Sequence, residues 1–334
     1  MLSSRRDKEG NLVIKKFRNA FTGIPDTPVT RTVLDKMSIS YVVSKQTKEL
    51  HIIGDEAFTI ANRFHKEVRR PMRKGVLSDR DKLARDMMSA LIQSLLGKPS
   101  YSGELCVYTV PAFPIEIEDE DDFNLSYHHE FIKSIVSSLG YTPMSINEGL
   151  CLIYEGLGEK ENYSGIGISF GGGMVNVCYA QYGLADDSTH GASFSTLKAG
   201  DRISSMAAQL EFNRTVSSVN AAKESSKNPI DITQDYSNSL VVRHAITIHY
   251  HKAIEYLAKN LVVQLADRID DSSPKVVVGG GTSLIKGFMP VFKSYLEKEA
   301  KGIIKLGEII HLNDPITAIT RGALKFAELQ EKEG

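Results

Sequence analysis

The sequence predicts an α/β protein with mixed sheets, built in two halves. Three observations support this. Predicted strands alternate with predicted helices along both halves. Two glycine triplets each close an apolar run, and 334 residues exceed the usual size of one core. The first triplet, Gly171-Gly172-Gly173, follows Gly165-Ile166-Gly167-Ile168-Ser169-Phe170 and precedes Met174-Val175-Asn176-Val177. The second, Gly279-Gly280-Gly281, follows Lys275-Val276-Val277-Val278 and precedes Thr282-Ser283-Leu284. Successive residues without side chains let a backbone turn sharply and bring its N–H groups against a ligand. Two such turns in one chain point to a nucleotide held between the halves.

The elements follow in order. Leu12-Val13-Ile14 reads as a strand after the turn Lys8-Glu9-Gly10-Asn11. Residues 37–43 alternate apolar and polar, and with 49–54 they read as a hairpin. Apolar positions Leu83, Met87, Met88, Leu91, Ile92 and Leu95 predict a helix over 79–96, stopped by Gly97. Residues 105–110 form a strand ended by Pro111, followed by helices over 128–139 and 148–154. In the second half, strands 166–170 and 175–179 form a hairpin around the first triplet. Helices are expected over 201–210 and 239–270, then strand 276–278, a helix over 284–298, and a last helix over 314–330 with Pro315 in its first turn.

Composition narrows the class. Charged residues make up 24% of the chain, apolar residues 42%, and the formal net charge is −1. That balance gives no long-range attraction to nucleic acid, so no nucleic-acid partner is expected. Cys106, Cys151 and Cys178 lie in apolar stretches without C-x-x-C spacing and read as reduced, buried thiols. No apolar run reaches membrane-spanning length, and the N-terminus lacks a signal-peptide core. A soluble, cytoplasmic protein is expected. His244, His249 and His251 share a predicted helix, but no two are four apart, so no metal site is expected there. The acidic run Glu116–Asp122 lacks the spaced ligands of a calcium loop and reads as a solvated surface loop. Arg69, Arg70, Arg73 and Lys74 read as an exposed basic turn.

The order of motifs resembles the actin-like ATPase superfamily, most nearly bacterial actins of the MreB and MamK type. The resemblance rests on Gly54-Asp55-Glu56-Ala57, Arg70-Pro71-Met72-Arg73-Lys74-Gly75-Val76-Leu77-Ser78-Asp79, Val110-Pro111 and Ile146-Asn147-Glu148-Gly149. It continues through Ala199-Gly200-Asp201, Gly279–Thr282 and the closing Asp314-Pro315 to Arg321-Gly322-Ala323. It implies an actin-like fold, with two similar mixed-sheet domains flanking a cleft for ATP and Mg. Residues 1–145 would be domain I, with a small subdomain at about 31–68, closed by the C-terminal helix 315–330. Residues 146–314 would be domain II, with a small subdomain at about 200–272.

By the same resemblance, Gly171, Gly172 and Gly173 would form a phosphate loop. Gly279, Gly280, Gly281 and Thr282 would meet the adenosine, and Gly200 and Asp201 would lie by the ribose. Glu148 would orient the attacking water. Lys223 and Glu224 lie near the family's adenosine-contacting helix. The chain departs from the pattern in three ways. The family's first strand and D-x-G-T phosphate loop have no counterpart, since residues 1–4 already read as the next strand; a start assigned too far downstream and a real loss both account for this. Ser169 stands where the family has an aspartate. Met174 and Asn176 replace a threonine and an acid. The implied function is self-assembly into head-to-tail cytoskeletal filaments with weak or impaired hydrolysis. A sugar kinase or exopolyphosphatase of the same fold, and a chaperone-like ATPase, are the alternatives. Besides the chain itself, a membrane or cytoskeletal adaptor is a candidate partner. Cell shape is one process such a filament would serve.

Overall fold

The chain separates into two units, Met1–Tyr108 with Glu118–Met144, and Thr109–Ile117 with Ser145–Gly334. The computed structural model describes residues 1–44, 47–116, 123–185, 192–210, 214–238, 241–269 and 273–333. Most of the acidic run (117–122) and Ser239, the expected start of the long helix, lie outside the described residues, and that helix stops at Leu265 rather than continuing to 270.

In the first unit, β1 (Leu2–Arg6) and β2 (Leu12–Lys16) pair antiparallel. The Asp7 carboxylate closes their turn by accepting the N–H groups of Glu9 and Asn11. Strand β3 (Phe21–Pro25), helix α1 (Pro28–Lys36), β4 (Val42–Ser44), β5 (Glu49–Ile53) and helix α2 (Glu56–Phe64) follow. The three strands form a sheet in the order β3-β5-β4. Ile24, Leu34, Leu50, Ile52 and Ile60 make its core. The expected strand over 37–43 is corrected here: only Val42 onward is extended. Thr27 caps α1 reciprocally with Thr30, Pro28 opens it, and Ser38 takes a left-handed turn after it. The N–H groups of Met37, Ser38 and Ile39 bond back to the carbonyls of Val33, Asp35 and Leu34, and this closing turn outweighs the local alternation of residues 37–43.

Next come β6 (Met72–Arg73), β7 (Val76–Leu77), α3 (Lys82–Leu96), β8 (Leu105–Val110), α4 (Leu125–Ser138) and β9 (Thr142–Asn147). Helix α3 starts three residues later than expected because the Asp81 side chain caps it on the Ala84 N–H at 2.9 Å. Gly97 ends it, as read from the sequence. Helices α3 and α4 pack through Met88, Ile92, Phe131 and Ile135. The chain passes between the units within the paired strands β8 and β9.

The second unit runs α5 (Glu148–Gly156), β10 (Gly165–Phe170), β11 (Val175–Gln181), β12 (Leu184–Ala185), β13 (Phe194–Thr196), α6 (Gly200–Gln209) and α7 (Val216–Lys223). It continues through α8 (Val241–Leu265), β14 (Val276–Gly279), α9 (Phe288–Ala300), β15 (Ile309–His311) and α10 (Ala318–Glu333). Its sheet has the order β12-β11-β10-β14-β15, with β13 also on β11. Strands β10 and β11 form the expected antiparallel hairpin, whereas β10, β14 and β15 run parallel.

Two helix starts are also corrected. Residues 281–284 form a short 3-10 turn, and α9 begins only at Phe288, after the left-handed Gly287. Helix α10 begins at Ala318; Pro315 precedes it, and its carbonyl accepts the Gly280 N–H at 2.9 Å.

Alternation along the strands assigns the faces of this sheet. Ile166, Ile168 and Phe170 of β10, Val175 and Val177 of β11, and Val276 and Val278 of β14 enter one core with residues of α6, α8 and α9. Phe170 meets Phe288 edge-on at 4.7 Å between centroids. The intervening residues Gly167, Ser169, Asn176 and Cys178 therefore point to the opposite face, where α5 packs. Contact there is backbone to backbone. A side chain on Gly149 of α5 would come within 2.7 Å of the Gly167 carbonyl oxygen, and one on Gly167 would fall on the Gly149 carbonyl. Behind α5 lies α10, where Gly322 lets the Cys151 carbonyl pass and Arg321 bonds Glu155 at 2.6 Å.

Candidate functional site

The bare contact between Gly149 and Gly167 sets the first residue of α5 beside the second half of β10. Asn147 caps that helix by accepting the Gly149 N–H at 2.8 Å, so Glu148 stands at its N-terminus. Ser169 and Asn176 are cross-strand partners on the same face. Asn176 Nδ2 donates to Glu148 Oε2 at 2.8 Å, and Ser169 Oγ donates to the same oxygen at 3.3 Å. The Ala112 N–H donates to Asn176 Oδ1 at 3.0 Å, which fixes the amide with its NH₂ toward the carboxylate. Glu148 is thus held by neutral donors. Burial raises its pKa, and the bonds from Ser169 and Asn176 act against that rise.

The two glycine turns lie side by side, because Ser169 of β10 is in register with Gly279 of β14. Gly280, at φ +92°, lies against the Phe170 backbone, and a side chain there would fall on the Phe170 carbonyl oxygen. Thr282 Oγ1 donates to the Gly171 carbonyl at 2.8 Å. The start of α6 completes the arrangement. The Gly200 N–H donates to the Gly171 carbonyl at 3.2 Å and the Asp201 N–H to the Gly172 carbonyl at 2.7 Å. Gly200 has no room for a side chain, since its Cβ would come within 2.5 Å of Thr282 Oγ1.

The carbonyls of Gly171 and Gly172 are therefore spoken for, while two donors of this loop are not. Among the described residues, the N–H groups of Gly172 and Gly173 reach no protein acceptor, whereas that of Gly171 bonds the Met174 carbonyl at 3.0 Å. Space in front of the loop is also open. A Cβ on Gly172 would first meet the Asp201 carboxylate, at 3.6 Å, and one on Gly281 would meet Ile316, at 4.0 Å. Both distances are ordinary contact.

All the site residues expected from the sequence fall in the second unit. Glu148 with Ser169 forms one group; Gly171, Gly172, Gly200, Asp201, Gly280 and Thr282 form a second, reached along the same strand. Gly279 is buried against Leu152 and faces α5. Two further residues join them. Asn176, read from the sequence only as a lost acid, orients Glu148. Lys223, at the end of α7, donates to the Gly200 carbonyl at 3.1 Å and to Ser204 Oγ at 2.8 Å, which braces the start of α6. The hairpin register would have pointed to Asn176. Lys223 left no local signal beyond its position near an expected helix.

The residues present suit a nucleotide phosphate, with free main-chain donors at Gly172 and Gly173 and unfilled space at Gly172. They also suit Mg²⁺ that arrives with the phosphates, since Glu148 and Asp201 supply carboxylates near the loop and Mg²⁺ keeps most of its water. No cluster of three or more metal-ligating side chains occurs among the described residues.

Comparison with known proteins agrees with the fold. The structure is similar to a MamK double helical filament, with a TM-score of 0.70 and 16% identity over 98% of this chain and 95% of that one. It is also similar to MreB5 of Spiroplasma citri bound to ADP, with a TM-score of 0.61 and 14% identity over 88% and 89% of the two chains. At these identities the shared property is the actin-like fold, which is the fold expected from the sequence. A search of curated protein sequences finds no match. The volactin family model matches residues 1–327, and the chain belongs to the volactin family.

Proposed function

We propose that this protein is an actin-like cytoskeletal subunit. It holds an adenine nucleotide on the second unit and self-assembles head to tail into filaments. The observation that carries this reading is the pair of unused N–H groups at Gly172 and Gly173, beside a backbone that its neighbours leave uncovered. A phosphate oxygen satisfies such donors without a side chain in the way. Gly281 and Thr282 face the adenosine, Asp201 lies toward the ribose, and Lys223 keeps the start of α6 in place. The ADP of MreB5 and the filament of MamK support the same reading.

Hydrolysis by this subunit is slow. Mg²⁺, when bound with the nucleotide, neutralises phosphate charge. Of the acids that would hold its water, Glu148 remains while Ser169 and Asn176 are neutral. Glu148 accepts one hydrogen bond from each of them, so its second oxygen is left to orient a water. Losing one group aimed at the transition state commonly lowers the rate by about 10²–10³. The filament acts in the cytoplasm; no described helix is long and apolar enough to cross a membrane.

Sedimentation and electron microscopy with and without ATP, beside a phosphate-release assay, test this. Nucleotide-dependent filaments with slow release are expected. Monomers that release ADP only when a sugar is added would favour the kinase alternative, and rates typical of bacterial actins would overturn the account of hydrolysis.

A further inference from the structure

The nucleotide reading leaves one polar pair of the second unit, Ser283 and His311, without a role. Strand β15 is the edge of its sheet, and its parallel register on β14 sets His311 beside Val278, the residue before the second glycine triplet. The Leu312 N–H donates to the Val278 carbonyl at 3.0 Å and holds that register. Paired residues of neighbouring strands share a face, so His311, like Val278, is on the side of α8 and α9 and reaches the turn over 281–284. There His311 Nε2 is 2.9 Å from Ser283 Oγ, and Ser283 Oγ is 2.7 Å from the Gly280 carbonyl oxygen.

A serine and a histidine at this distance also have the geometry of an activated nucleophile. The position of one proton excludes that use. A hydroxyl has a single proton, and a carbonyl oxygen can only accept. Ser283 therefore donates to Gly280, and the imidazole must donate to Ser283, with its own proton on Nε2. Ser283 is 1% exposed, so its oxygen is closed to a substrate. The pair is a relay of hydrogen bonds that ends on the most constrained residue of the turn. Gly280 sits at φ +92° against the Phe170 backbone, and its N–H donates to the Pro315 carbonyl at 2.9 Å. Its carbonyl accepts the Ser283 N–H, at 3.2 Å, as well as the hydroxyl. A peptide unit is rigid, so a tilt at Gly280 carries over to Gly281 and Thr282, which follow it.

We propose that His311 is a positioning residue for the adenosine end of the nucleotide site. Its Nε2–H orients the Ser283 hydroxyl, which fixes the Gly280 carbonyl and with it Gly281 and Thr282. This role rests on the nucleotide reading; the proton on Nε2 does not.

Imidazole nitrogen resonances of the full chain read the ring directly. Burial lowers the His311 pKa, so at neutral pH one neutral tautomer is observed. It should carry its proton on Nε2, in slow exchange with water, and Ser283→Ala should speed that exchange. A ring protonated on Nδ1 would overturn the proposal whether or not nucleotide binds. Calorimetric titration then compares ATP with inorganic tripolyphosphate, which has the phosphates and lacks the adenosine. His311→Leu should weaken ATP binding by about fivefold or more and leave tripolyphosphate binding unchanged, which also shows that the variant is folded. His311→Gln places an amide N–H near the position of Nε2 and should restore most of the ATP affinity. Equal losses for both ligands, no loss for ATP, or a His311→Gln variant as weak as His311→Leu would each overturn the positioning role. A parent chain that binds neither ligand would overturn the nucleotide reading and this role together, and is told apart by an Nε2 proton that is still in place.

Discussion

Gly280 and Gly172 stand at the ends of neighbouring strands in the same sheet, yet the protein needs glycine at them for opposite reasons. Gly280 is pressed on the Phe170 backbone in a left-handed conformation, so the fold itself forbids a side chain. At Gly172 the nearest atoms to an added Cβ are those of the Asp201 carboxylate, at ordinary contact distance, and the fold would tolerate one. A glycine triplet read from sequence merges these two cases. Separating them shows which glycines shape the scaffold and which leave room for something else.

Substitution should expose the difference most strongly at the packed position. Gly280→Ala adds a forced backbone conformation to an overlap with the Phe170 carbonyl, and should cost about 3 kcal/mol or more. Urea denaturation measures this; a loss under about 1 kcal/mol would mean the two turns are not held together there.

Asn176→Asp comes next. It replaces the NH₂ donor to Glu148 with a second carboxylate oxygen. Loss of that hydrogen bond and the new like-charge contact should cost about 2–3 kcal/mol at neutral pH. Full stability in the variant would show that the amide does not orient Glu148. Thr282→Val removes a single hydroxyl bond to the Gly171 carbonyl, worth about 1 kcal/mol. Its effect should appear in the unfolding midpoint with the denaturant slope unchanged.

Gly172→Ala should have the smallest effect on folding, within about 0.5 kcal/mol, while nucleotide affinity falls about tenfold or more. Calorimetric titration with ATP reads the affinity. Unchanged binding would reduce the open glycine to an ordinary hairpin bend.

Acidity offers a separate probe of the Glu148 cradle. Burial holds this carboxyl above its usual pKa of 4.5, so in the range just above that value the folded chain binds more protons than the unfolded one. Stability contributed by this group therefore falls as pH climbs from 4.5 through the raised pKa of the folded state. Glu148→Gln should remove this dependence. The variant should be at least as stable as the parent at pH 7 and lose its advantage toward pH 4.5. Parallel urea midpoints across the whole range would place the carboxylate in water rather than in the cradle.

Legibility in the sequence followed the range of the interaction. The hairpin of β10 and β11, strand β14 and the start of α5 were all readable, because period-two alternation, turn glycines and helix caps act within a few residues. Residues 37–43 misled for the same reason: their alternation is local, but the N–H groups of Met37, Ser38 and Ile39 are taken by carbonyls of the last turn of α1. The late starts of α9 and α10 reflect Gly287, which lies against Asp231 and Thr233, and the Pro315 carbonyl, which accepts the Gly280 N–H; both depend on residues distant in sequence.

By itself the sequence determined the α/β class, the paired glycine turns, the carboxylate at the head of α5 and the absence of acids at Ser169 and Asn176. Tertiary structure alone decided that Ala112, Asn176 and Glu148 form one hydrogen-bonded line, that Lys223 braces the start of α6, and that Gly172 and Gly173 keep unused donors. The physical reason is separation along the chain. Ala112 and Asn176 are 64 residues apart and Asn176 and Glu148 are 28 apart, so only the stacking of α5 on the sheet and the seating of residues 112–115 against Ser195 of β13 bring them within hydrogen-bond reach. Whether a glycine is filled or open likewise depends on atoms that its own stretch of sequence does not contain.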